Sequence, residues 1–267
     1  MSPELLFWFG LALKMVLTAT VVVITSLAVE RSGPFVGALI GALPTAAGAA
    51  YVILAIEQPP DFIAASATGT IAVNAAVAIF AAAYTVLAQR HGLLVSLGAA
   101  TLAWFAVAYA LRLVDWTPLR AVAVGAAVYA VTIPLSWRYR TAGGPIQFVR
   151  RRFDVPLRAF TVAVVVAVVT TASSAIGSFA SGMFALFPII LGSSIVIMHP
   201  RIGGKATASM LAHAQIFLIG LGLGGLALHY LVAPLGVWPA LLAALCMNLA
   251  WSGLVVIAAT RRRRSPA

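Results

Sequence analysis

Nine stretches of about twenty apolar residues, separated by short polar breaks, leave this chain one class of fold. A run of that length crosses the hydrocarbon of a bilayer as an α-helix, and a helix satisfies its own backbone hydrogen bonds there. The stretches fall at about 5–29, 33–55, 62–88, 93–113, 118–136, 157–175, 178–198, 205–232 and 236–259. With 63% hydrophobic residues, 9% charged residues and a mean hydropathy of +1.06, the chain has too little polar surface to cover a soluble domain. The expected fold is all-α, a polytopic membrane protein of nine transmembrane helices. Glu4, not a basic segment, precedes the first run, and the run exceeds a signal-peptide core, so it reads as a retained span.

The net charge of +11 would suit nucleic acid, but the basic residues lie between the runs and at the C-terminus, where the positive-inside rule puts them. Nucleic acid is therefore not an expected partner. If the loop holding Arg138, Arg140 and Arg150 to Arg152 is cytoplasmic, then Arg31, Arg90, Arg201, Lys205 and the tail Arg261 to Arg264 share its side. Glu57 and Asp61 then lie opposite, and Arg112 and Arg120 run against the trend. The expected setting is a bacterial inner membrane, with the N-terminus outside and the C-terminus cytoplasmic. The single cysteine, Cys246, allows no internal disulfide, and no Cys/His cluster suggests a metal. No nucleotide-binding, serine-hydrolase or zinc-protease motif occurs. Neither an enzyme nor a cofactor is expected.

Two segments repeat one design. Gly33, Phe35, Pro44 and Gly48 recur 144 positions on as Gly177, Phe179, Pro188 and Gly192, and in each copy a proline interrupts an apolar run. A proline inside a helix removes a backbone hydrogen bond and clashes with the preceding turn. The same shift pairs Leu13-Lys14 with Leu157-Arg158 and Gly92 with Gly236, while a shift of 141 pairs Asn74 with Gln215. Residues 1–116 then form a first four-helix repeat, 117–137 a linker transmembrane helix and 138–154 a basic cytoplasmic loop. Residues 155–260 form a second four-helix repeat, and 261–267 a basic tail. Four spans and a crossing linker turn the second copy upside down, a 4+1+4 inverted-topology repeat with proline-broken helices.

Polar groups inside the bilayer are the candidate site. Lys14 could hold an anion near the midplane. Asn74 and Gln215, both far into their spans, offer amides to a substrate from two sides. Pro44 and Pro188 open half-helix ends that attract anions, with Thr45, Ser193 and Ser194 beside them. His213 is the one histidine deep within a run and a candidate proton carrier. Packing accounts for each of these equally well in kind: snorkelling for Lys14, interhelical hydrogen bonds for the amides, plain kinks for the prolines. Gly37/Gly41 and Gly220/Gly224 read as close helix contacts.

The paired broken helices resemble the broad class of inverted-repeat secondary transporters, including bile-acid-symporter-like folds whose broken helices cross near the midplane. Four spans per repeat, where that fold has five, depart from the pattern, so no site residue is carried over. The resemblance implies a secondary transporter working by alternating access; a buried base without a buried acid and the half-helix ends favour a small anionic solute, with proton coupling if His213 carries charge. The alternatives are a lipid-linked carrier or flippase and a non-transporting accessory subunit. Expected partners are the solute and membrane lipid, with a homodimer left open.

Overall fold

The computed structural model describes the backbone of residues 45–140 and 154–264 and eight helical positions between 8 and 23. Every described element is helical: α1 Thr45–Glu57, α2 Pro60–Leu87, α3 Leu93–Arg112, α4 Pro118–Trp137, α5 Asp154–Ala185, α6 Ile189–Leu235 and α7 Val237–Arg264. Among the described residues five helices, α2, α3, α4, α6 and α7, are long and apolar enough to cross a membrane. The chain is thus a multi-pass membrane protein, helical in every described element.

Two of the described helices are broken by glycine. Gly177 in α5 and Gly203 in α6 have φ of 80° and 81°, a region open to glycine because it lacks a Cβ. The expected span 178–198 is also not continuous. A helix over 178–185 stops, residues 186–188 are non-helical, and α6 begins at Ile189. The Leu186 and Phe187 N–H groups donate to Met183 O (3.2 Å) and Phe184 O (3.0 Å), a tightened last turn that satisfies backbone groups the break would strand. Elsewhere the ends follow local chemistry. Pro60 opens α2 where no N–H is needed. The Thr117 side chain caps α4 by accepting from the Arg120 N–H.

Two helix starts recur at one interval: Pro60 and the resumption after Gly203, and Leu93 and Val237, each lie 144 residues apart. The expected shift of 141 in the third span does not apply to these starts. At 144, the position matching Asn74 is Leu218 rather than Gln215.

Helix α2 is the hub. Every residue from Ser66 to Ala78 is buried, so it has no face for lipid or water. Its Ala, Gly, Ser and Thr side chains let neighbouring backbones approach. The closest approach is to the 178–185 segment of α5. A Cβ on Gly69 would lie 2.1 Å from Phe179 O, and one on Gly182 would lie 1.7 Å from Ser66 O. Ser66 Oγ donates to Ser178 O (2.9 Å) and Thr70 Oγ1 to Gly182 O (2.8 Å). Thr70 has one proton and uses it there, so the Tyr51 hydroxyl, 2.7 Å away, is the donor to Thr70. That chain ties α1, α2 and α5 together. Gly220 and Gly224 of α6 pack against Asn248 and Ala244 of α7, a close helix contact within the chain.

The remaining bonds set direction. Helix α2 runs antiparallel to α6: His229 lies 2.8 Å from Ala64 O, Asn74 donates to Leu218 O (3.0 Å), and Thr85 donates to Ala208 O (3.4 Å). Arg140 and Ser136 meet Ala212 and Gln215, so α4 is antiparallel to α6 and parallel to α2. Glu57, Asp61 and Asp115 therefore gather at one end of the bundle, where Arg112 and Arg120 also lie. Arg90, Arg138, Arg140, Lys205 and Arg261 gather at the other.

Candidate functional site: a buried polar row between α2, α4 and α6

Helix α4 buries one stripe, Ala121, Gly125, Tyr129, Thr132 and Ser136, at helical spacing of three and four. The lower three are polar and face the two amides of the sequence analysis. Tyr129 lies beside the Asn74 side chain. Ser136 Oγ accepts from Gln215 Nε2 at 2.7 Å. Thr132 stands between them. Tyr129 and Ser136 are seven residues apart, so the row is about 10 Å long. It runs from near the middle of α4 to its basic end.

Asn74 is 3% exposed and Gln215 0%. The Asn74 orientation is forced. Its Nδ2 donates to Leu218 O, and a carbonyl can only accept. Gly222 makes room, since a Cβ there would lie 2.9 Å from that nitrogen. Among the described residues, four buried side-chain atoms of the row have no hydrogen-bond partner: Asn74 Oδ1, Tyr129 OH, Thr132 Oγ1 and Gln215 Oε1. One such atom in a low-dielectric interior costs about 1–3 kcal/mol unless water or a ligand meets it. Four in one row make it a place for polar guests.

The other candidates are placed elsewhere. Lys14 and Pro44 lie outside the described residues, and so does the side chain of Thr45, the first residue of α1. Pro188 is buried and sits immediately before α6. Ser193 and Ser194 both donate to Ile190 O, at 3.1 and 2.7 Å, so their protons stay within the first turn of α6. His213 is exposed, with Nδ1 2.8 Å from Ser209 O. Although far along the chain from either helix end, it lies on the outside of α6 and does not join the row. Asn74 and Gln215 share the row but at different depths. Asn74 is level with Tyr129, and Gln215 with Ser136, one residue from the end of α4.

Sequence reasoning missed Tyr129, Thr132 and Ser136 because it treated 117–137 as a connector. The signal was present, as these are polar residues at one helical face within an apolar run. It also missed Trp104, fully buried in α3, whose ring stands edge-on to Phe187 beside the break (4.8 Å between centroids) and whose Nε1 is unpartnered. At the basic end, Arg140 Nε and Nη2 donate to Ala212 O at 3.4 and 3.3 Å, and its guanidinium lies 4.0 Å over the Trp137 ring. The Arg140 carbonyl accepts from Ser209 Oγ.

No family model matches this chain, and no curated protein or solved structure is detectably similar to it.

Proposed function

We propose that this chain is a secondary transporter that moves a small anionic solute across a bacterial inner membrane by alternating access of two inverted halves. The observation that carries the reading is the contact between Asn74 and Leu218. Each lies fourteen residues beyond the start of its helix, at Pro60 and at 204. Two helices related by a two-fold axis in the membrane plane run antiparallel and cross at equivalent points, as these do. Helix starts at Leu93 and Val237, also 144 residues apart, extend the same relation.

The polar row supplies somewhere for the solute to go. It adjoins the crossing at Asn74 and leads to the basic end, which the positive-inside rule assigns to the cytoplasm, with the C-terminus there and the N-terminus outside. Rocking of the 1–116 and 155–260 halves about the crossing would expose the row to one side and then the other. In this reading 117–137 is more than a linker, because α4 furnishes the wall bearing Tyr129, Thr132 and Ser136. His213, outside the row, has no part in it.

The test is uptake by proteoliposomes holding the full chain, offered labelled small carboxylates and phosphate with and without an imposed pH gradient. The expected result is accumulation of at least one anion, reduced about tenfold or more by Asn74→Ala and by Gln215→Ala, the loss of roughly one buried polar contact. If both variants match the parent, the row is not the route. If no solute moves, the chain is not a transporter of this class.

A further inference from the structure

Arg140 lies three residues past α4, half-buried, and its side-chain contacts among the described residues are a backbone carbonyl and an indole ring, both neutral. Glu57, Asp61 and Asp115 sit at the far end of the bundle, about 30 Å away along α4. Among the described residues no carboxylate pairs with Arg140. Burial pulls its pKa down from the ordinary value, as expected for a guanidinium that loses water. It stays cationic, because arginine keeps its proton in proteins.

The next turns hold two polar side chains with unmet capacity, Thr132 and Gln215, both more than nine-tenths buried. Unlike Asn74, Gln215 is not locked. Its partner is the Ser136 hydroxyl, which can donate as well as accept. If the amide turns over, Ser136 donates to Oε1 and Nε2 faces the row. An incoming anion would favour that orientation, adding an N–H and the Thr132 O–H to the guanidinium. A guanidinium fork with neutral donors matches the planar oxygens of a carboxylate or phosphate.

We propose that Arg140, Gln215 and Thr132 form an oxyanion subsite at the basic mouth of the row, binding the carboxylate or phosphate group of the solute. This rests on the transporter reading and names the part of the site that selects charge.

The chain's chemistry makes the test direct. Cys246 is its one cysteine and is exposed, so Cys246→Ala gives a background without thiols. Thr132→Cys, close in size to the original, then reports who reaches the row. Its labelling rates by an anionic and a cationic methanethiosulfonate are compared in vesicles of neutral lipid. With Arg140 present the anionic reagent is expected to react faster. Arg140→Gln, which keeps donors for Ala212 O, should move the anionic-to-cationic ratio about tenfold toward the cation. Inorganic phosphate should slow labelling of the parent but not of Arg140→Gln. A purely structural Arg140 would leave the ratio unchanged.

A ratio indifferent to Arg140, or protection by phosphatidylglycerol with none by free phosphate, overturns the subsite while leaving uptake to judge the transporter reading. Absence of labelling at Thr132→Cys, with a control cysteine at the exposed Arg138 labelled, shows a sealed row and overturns the subsite too. Charge-selective labelling without any uptake upholds the subsite and removes the transporter.

Discussion

Replacing Gly182 by alanine tests the α2–α5 crossing most severely. The added methyl would lie 1.7 Å from Ser66 O and 2.6 Å from Ser66 C. Real contacts of this kind do not fall below 3.0 Å, so the two backbones must part by more than about 1 Å, a gap that forfeits much of the dispersion attraction between them. Neither neighbour is a flexible side-chain tip that could swing aside. The separation would also break or lengthen the bonds from Thr70 to Gly182 O and from Ser66 to Ser178 O, worth about 0.5–1.5 kcal/mol each. Overpacking adds about 1–3 kcal/mol. The expected loss is therefore about 2–6 kcal/mol, a large part of the 5–15 kcal/mol that keeps a typical domain folded. Thermal unfolding of the purified protein in detergent, followed by tryptophan fluorescence, would read this as a fall in midpoint well beyond that of Gly98→Ala. Gly98 is also helical, but a Cβ there meets nothing within 4 Å. If Gly182→Ala melts with the parent, the helices do not cross as closely as described and the link from Tyr51 to Gly182 is not formed.

Gly203→Ala separates strain from crowding. A Cβ there meets nothing within 4 Å, yet φ is +81°, so the cost should be about 1–3 kcal/mol from backbone conformation alone, read as a lower melting midpoint. A midpoint equal to the parent's would mean that the break does not need glycine. Ser252→Ala should leave stability unchanged or raise it by up to about 1 kcal/mol, because the fully buried hydroxyl has no partner to lose. A clear loss of stability would reveal a bound water or another partner for Ser252.

The membrane class could be read from the length of the apolar runs alone, since the bilayer sets that length and few sequences meet it by chance. The break at Pro188 was equally legible, because the missing N–H acts locally. Depth was not. Asn74 and Gln215 seemed equivalent because residues had been counted along the chain, whereas Gly203 resets the start of the second helix. His213 shows the same limit. Distance from a span's end says nothing of which side of the helix a residue faces, and in an apolar run with little amphipathic contrast no periodicity reveals it. The polar stripe of α4 was written plainly in Tyr129, Thr132 and Ser136, but it acquires meaning only when α2 and α6 are known to lie against it.

The enclosure of α2 has a consequence for how the protein is made. Ser66, Thr68, Thr70 and Asn74 meet partners from α5 and α6, which the ribosome supplies more than a hundred residues later. Until then this helix must wait in the bilayer with its polar groups facing lipid or lodged against temporary neighbours. A nascent chain halted before α6 should accordingly be a ready target for quality-control proteases, and the last third of the sequence would decide whether the first third survives.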